Sequence, residues 1–249
     1  MDKLTASNIS VSYGSNKIIE NISLRLEQGE IVSLLGVSGV GKTTLFNVLS
    51  GLLVPEKGSI TLDGEDITGK TGKLSYMLQK DMLLPFKTIV DNVALPLVIK
   101  GEKRKIAREK ASALFEEFGL EGTQLKYPRQ LSGGMRQRAA LLRTYLFSDQ
   151  VALLDEPFSA LDTITKSNMH EWYLQVMESI KLSTLFITHD IDEAILLSDR
   201  VYVMTGKPGH ISEELIIDSE RPRGEEFLVS DEFIHYKKHI NMILKKSRE

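Results

Sequence analysis

The chain has 249 residues, 42% hydrophobic and 26% charged, enough to bury one sizeable α/β core. A formal net charge of −3 gives no global electrostatic case for a nucleic-acid partner. The absence of cysteine excludes disulfides, thiolate metal sites and cysteine nucleophiles, and fits a reducing compartment.

The stretch 1–13 has no apolar segment of the signal-peptide kind. Residues 4–11, 18–26 and 59–62 alternate apolar and polar side chains, predicting strands with turns at Tyr13-Gly14, Gly29 and Asp63-Gly64. The apolar run 31–35 ends at Gly36 and reads as a buried strand. Gly36-Val37-Ser38-Gly39-Val40-Gly41-Lys42-Thr43 then matches G-x-x-x-x-G-K-[ST], with helical spacing over 43–53 that stops at Pro55. In that strand–turn–helix setting the glycines let backbone N–H groups turn inward around phosphate oxygens, and the helix N-terminus adds partial positive charge. Lys42 is expected to reach the β- and γ-phosphates, and Thr43, followed by Thr44, to hold Mg²⁺. Such a charge pair is worth about 4 kcal/mol at a separation of about 4 Å and an effective dielectric of about 20, so losing Lys42 should severely weaken nucleotide binding.

The middle of the chain is helical. Residues 105–118 are expected to set Ile106, Ala113, Leu114 and Phe118 on one face, and Met135, Ala139, Leu142 and Leu146 repeat at helical spacing. Strands are predicted at 151–154, 184–188 and 201–204, and helices at 162–180 and after Asp190 and Glu193, which form a plausible capping pair. Ser230 caps a last helix to about residue 245. Strands alternating with helices imply an α/β fold with a mainly parallel sheet covered on both faces. The helical block at 86–147 interrupts that pattern and reads as an inserted subdomain within a core of residues 1–85 and 148–249. No run approaches the roughly 18 apolar residues of a membrane span. The greasiest stretch, 82–99, is broken by Lys87, Asp91 and Asn92.

Val151-Ala152-Leu153-Leu154 delivers Asp155 and Glu156 to the C-terminal edge of a buried strand, where open α/β sheets bind ligands. Strand alternation is expected to point the two carboxylates apart. Asp155 is suited to Mg²⁺, and Glu156 to orienting and deprotonating an attacking water, a role worth about 10²–10⁴ in rate.

Leu131-Ser132-Gly133-Gly134-Met135-Arg136-Gln137-Arg138 resembles the LSGGQ signature of ABC ATPases, with Met135 in place of the usual glutamine. Other family positions match in order: Tyr13 the adenine-stacking aromatic, Gln79 the glutamine loop, Ser159-Ala160-Leu161-Asp162 the D-loop and His189 the switch histidine. The resemblance spans roughly residues 4–211. It implies the ABC ATPase fold, a RecA-like core with an N-terminal antiparallel β subdomain, and an ATPase that uses ATP and Mg²⁺. It also implies that two copies sandwich ATP head to tail. Tyr13, Gly36, Ser38, Gly39, Gly41, Lys42, Thr43 and Thr44 would bind nucleotide from one copy, and Ser132, Gly133 and Gly134 from the other. Asp162 would bridge the two sites. Glu156, His189 and Gln79 would be catalytic, and Thr43, Gln79 and Asp155 would face the metal. Met135 is expected to pack rather than touch nucleotide.

The apolar loop 80–93 resembles the permease-docking segment of importers, though core packing could claim Ile89 and Val93. With Lys207-Pro208-Gly209-His210-Ile211, placed after the last sheet strand, it resembles the nitrate, sulfonate, taurine and pyrimidine-precursor importer branch. A C-terminus without a long regulatory domain is expected there. The implied partners are transmembrane permease subunits and, through them, an extracytoplasmic solute-binding protein, with the chain peripheral on the cytoplasmic face of the membrane. The alternative is a soluble or efflux-type ABC ATPase. The basic stretch 100–110 reads as a solvated helix face, or as a contact for anionic headgroups.

Overall fold

Period-two alternation builds β1 (Asp2–Tyr13) and β2 (Asn16–Glu27) into an antiparallel hairpin. The computed structural model describes residues 2–148, 150–159, 161–221 and 223–246. Next come β3 (Ile31–Gly36), α1 (Lys42–Leu49), β4 (Lys57–Leu62), β5 (Glu65–Asp66) and β6 (Ser75–Met77). The middle holds α2 (Ile89–Val93), α3 (Leu95–Ile99), α4 (Arg104–Ala113) and α5 (Gly133–Phe147). The remainder alternates β7 (Val151–Asp155), α6 (Thr163–Ile180), β8 (Ser183–Thr188), α7 (Ile191–Leu197), β9 (Arg200–Thr205) and β10 (His210–Ile216) before α8 (Glu225–Leu228) and α9 (Asp231–Lys246).

Two sheets result. One is antiparallel, in the order β2-β1-β4-β5. The other runs β10-β9-β3-β8-β7-β6 and is parallel except for β10 against β9. Every residue of β3, β7 and β8 is buried, as continuous apolar runs covered on both faces require. Alternation assigns their side chains to two cores. Val151, Leu153, Leu185 and Ile187 face α1 and the antiparallel sheet, whereas Ala152, Leu154 and Phe186 face the helical layer of α2–α6. A third cluster packs α7 and α9 on Leu35, Val201 and Val203.

Several expectations change. The helix after the phosphate-type loop ends at Leu49 rather than 53, because Gly51 turns left-handed at φ 76°. A Cβ there would lie 2.5 Å from the Lys70 backbone. The inward face of α4 is one position off the expected one. Ala107, Ala111, Phe115 and Phe118 are fully buried, while Ile106 and Ala113 are exposed. The stretch 201–204 is not the last sheet strand, since β10 pairs with it and takes in His210 and Ile211. Asp190 does cap α7, accepting from the N–H groups of Asp192 and Glu193 at 3.0 and 3.3 Å, but the Glu193 side chain turns into the interior instead of reaching back.

Candidate functional site

Register decides what meets what. Leu35 pairs with Thr188, Asp155 with Ile187 and Met77 with Leu154, so β3, β8, β7 and β6 end along one edge. The glycine loop, His189, the acid pair and Gln79 leave the sheet together there, at the carboxyl edge where such sheets hold ligands.

Gly36 closes β3 against β9, where a Cβ would stand 2.5 Å from the Met204 carbonyl oxygen. Ser38 and Gly39 are exposed at the loop tip, and Gly39 and Gly41 have φ of 79° and 108°, a region glycine enters without strain. Gly41 is the N-cap of α1, with no side-chain cap and no acidic residue in the first turn. That helix terminus therefore offers its N–H groups to an anion from outside the chain. Lys42 is buried at 6% exposure and donates to the carbonyls of Gly36 and Val37 at 2.7 and 3.1 Å. Burial pulls its ammonium below the ordinary lysine value, against the opposing pull of Glu156 and Asp155. Thr44 is half-buried in the same first turn. The donor set thus fits a triphosphate.

Asp155 is buried and accepts from the Thr43 hydroxyl at 3.3 Å and the Tyr76 hydroxyl at 3.4 Å. Burial raises its carboxyl above the usual carboxylate value despite those bonds. Burial likewise pushes the Tyr76 phenol up, helped by Asp155. Glu156 bonds partners other than those of Asp155, and it does not continue the strand. Its backbone sits at φ 47°, left-handed and strained by about 1–3 kcal/mol, while its N–H still donates to Ile187. In that pose Glu156 Oε2 accepts from Gln79 Nε2 at 3.0 Å and Oε1 lies 3.2 Å from His189 Nδ1. Gln79, Glu156 and His189 are therefore in contact, with Thr43 and Asp155 alongside. Among the described residues no cluster of three or more His, Asp or Glu side chains forms a ready metal cage. The hydroxyl of Thr43, the Asp155 carboxylate and the Gln79 amide are instead hard oxygen donors of the kind that complete a Mg²⁺ shell with phosphate and water.

Tyr13 ends β1 and is 56% exposed. Its hairpin is held near the loop by Ile18 and Ile19, which crowd Gly41. Ser132, Gly133 and Gly134 form the tip of α5. Ser132 is the exposed N-cap and accepts from the Met135 N–H at 3.3 Å. Met135 packs against the helical-layer core, as expected. Among the described residues no hydrogen bond joins this tip to the glycine loop. Asp162 caps α6, accepting from the Thr165 N–H at 3.1 Å. Ala160 lies outside the described residues. Arg136 pairs with Asp81 at 3.1 Å and Arg143 donates to the carbonyls of Asp81 and Met82, tying α5 to the loop after Gln79.

The sequence did not point to Tyr76, nor to the packing of Gly209, noted above only as part of an importer-like segment, behind the glycine loop. A Cβ at Gly209 would stand 2.0 Å from the Val40 carbonyl oxygen, so the segment 207–211 backs the glycine loop. The signal for Tyr76 was a polar aromatic three residues before Gln79.

Comparison with known proteins agrees with this geometry. The ABC transporter family matches residues 19–159. The formylaminopyrimidine import ATP-binding protein ThiZ of Halalkalibacterium halodurans is 46% identical over 208 residues, covering 83% of this chain and 81% of that protein. The nitrate import ATP-binding protein NrtD of Synechocystis is 38% identical over 238 residues, covering 93% and 90%. The dimeric post-hydrolysis structure of the ATP-binding cassette MJ0796 bound to ADP and Pi superimposes with a TM-score of 0.72 at 26% identity, covering 87% of this chain and 100% of that one. The fold is the ABC ATPase fold, an antiparallel sheet joined to a mostly parallel one. The chain belongs to the ABC transporter family and is one of its ATP-binding, ATP-hydrolysing cassettes.

Proposed function

We propose that this chain is the motor of a solute importer, in which two copies clasp two ATP molecules head to tail. The supporting observation is the division of the site. Lys42, Thr43, Asp155, Gln79, Glu156 and His189 gather at one sheet edge, while Ser132–Gly134 present a second, separate helix tip. The MJ0796 cassette is a dimer with ADP and Pi, which favours the same assembly here.

The residues divide the work. Tyr13 stacks on the adenine, a contact worth about 1–3 kcal/mol by analogy with base–aromatic stacking. The loop Gly36–Thr44, through Ser38, Gly39, Gly41 and Lys42, cradles the phosphates. Thr43, Asp155 and Gln79 would hold Mg²⁺, which when bound would neutralise phosphate charge. Glu156 accepts a proton from water as the water oxygen attacks the γ-phosphorus and the bond to the ADP oxygen breaks. His189, whose side chain is 59% exposed, turns from Glu156 to the γ-phosphate and steadies it. Ser132, Gly133 and Gly134 of the second copy close over the same phosphate, and Asp162 joins the two sites. Hydrolysis removes the shared anion and the pair opens, a ligand-biased two-state cycle.

Residues 86–147 act as the helical subdomain and 1–85 with 148–249 as the core. No helix among the described residues is long and apolar enough to cross a membrane, so membrane attachment comes through permease subunits. Met82 and Phe86, at 57% and 73% exposure beside Gln79, suit that docking, whereas Leu83, Ile89 and Val93 are core. The relatives named for formylaminopyrimidine, nitrate and aliphatic sulfonates favour a small solute of that range, selected by a permease and an extracytoplasmic binding protein.

The test is Glu156→Gln. We expect ATP binding to persist, turnover to fall about 10²–10⁴-fold, and an ATP-dependent dimer to accumulate in light scattering. Turnover near wild type would remove the assignment.

A further inference from the structure

We propose that Lys166, His170 and Glu193 form a largely buried positioning cluster that fixes the backbone on either side of His189, a reading that rests on the catalytic roles proposed above for Glu156 and His189. Glu193 is 4% exposed, and a carboxylate that deep must be paired. Its Oε1 accepts from Lys166 Nζ and His170 Nε2, each at 3.1 Å, and its Oε2 accepts from the Thr188 hydroxyl. The Thr188 oxygen in turn accepts the Asp190 N–H at 3.0 Å, closing a small ring around His189. Lys166 also donates to Asp190 Oδ2 at 2.7 Å. Both neighbours of His189 are thereby pinned to one lysine–glutamate pair.

The other end of the cluster reaches the acid pair. The His170 ring meets Phe158 edge-on, with centroids 4.9 Å apart and planes at 82°. Phe158 lies two residues after Glu156, in a turn where Ser159 donates its N–H and hydroxyl to the Glu156 carbonyl at 3.2 and 3.0 Å. Lys166 and His170 stand four residues apart, on one face of α6. One helix face therefore holds the loops carrying both catalytic groups. Burial opposes the charge of Lys166 and of Asp190, yet their pairing keeps the lysine above its ordinary value and the aspartate below. Lys166, His170 and Glu193 do not bond Gln79, Thr43 or Asp155 among the described residues, so their action on hydrolysis would run through the position of His189.

The experiment compares steady-state ATP hydrolysis and thermal melting of wild type, Lys166→Met, Lys166→Arg, His189→Ala and Lys166→Met/His189→Ala. Lys166→Met is expected to lower kcat about tenfold with KM within about twofold, because transition-state placement is lost and ground-state binding is not. Lys166→Arg should recover most of the rate by restoring the cation. In the His189→Ala background, Lys166→Met should change the residual rate by less than about twofold, since the group it places is gone. Losses that simply multiply in the double variant, or wild-type kcat in a folded Lys166→Met, overturn the proposal. If Lys166→Met does not fold, Lys166→Met/Glu193→Gln, which removes the orphaned charge, takes its place with the same outcomes. Unchanged hydrolysis in His189→Ala alone overturns the catalytic role of His189 itself, and the cluster's role with it.

Discussion

A buried lysine whose ammonium is held by two carbonyls is poorly explained by stability. Lys42 has a depressed pKa, so its charged form is disfavoured in the folded chain relative to the unfolded one. The folded state then binds fewer protons in the window between the lowered value and the ordinary lysine value, and stability rises with pH there. Below that window the charge is a net burden until an anion arrives. Lys42→Met should therefore leave the melting temperature of the nucleotide-free protein unchanged or higher at neutral pH. It should also abolish the stabilisation that saturating ATP confers, about 2.7 kcal/mol at a hundredfold excess over Kd. Differential scanning fluorimetry with and without ATP checks both. A mutant that melts low without nucleotide would make Lys42 a structural residue instead. Lys42 and Glu156 were readable because a motif carries their spacing. Tyr76 was not, since its bond to Asp155 joins residues 79 apart in sequence and depends on β6 lying beside β7.

Elements were legible wherever one periodicity dominated. β3, β7 and β8 are apolar runs, and α5 buries Ala139 and Leu142 at the expected spacing. The inward face of α4 was misjudged because Ile106 outweighs Ala107 on any hydrophobicity scale, although Ala107 is the residue that packs inward. Ala107 and Ala111 are fully buried and Ile106 is 45% exposed. Ile106→Glu should change stability by less than about 0.5 kcal/mol, as surface replacements do. Ala107→Glu should destabilise by about 3 kcal/mol or more, by overpacking and burying a charge. Urea unfolding of the two variants checks the face directly, and the reverse order would rotate the helix. Two arginines of α4 pair with Asp91, at 2.9 Å from Arg104 and 3.7 Å from Arg108, so part of the basic stretch is spent within the chain.

The whole molecule brings distant segments to a single edge and leaves an apolar patch beside it. Met82 and Phe86 protrude from a loop that Arg136 and Arg143 anchor to α5. Burying Phe86 on a partner would contribute about 1.5–3 kcal/mol. Phe86→Ser should thus leave the isolated chain's ATPase rate and melting temperature near wild type while weakening co-purification with the proposed permease partner at least about tenfold. Retained permease at wild-type yield would assign the patch elsewhere. The linear sequence, by itself, determined the phosphate loop, the acid pair, the signature and the alternation of strands with helices, because each is a local pattern written within a few residues. Strand order β9-β3-β8-β7-β6, the left-handed turn that aims Glu156 at His189, and the ion cluster under His189 were decided only by tertiary structure. These depend on which nonlocal pairings bury the most apolar surface while leaving no deep charge unpaired, and no local spacing records that sum.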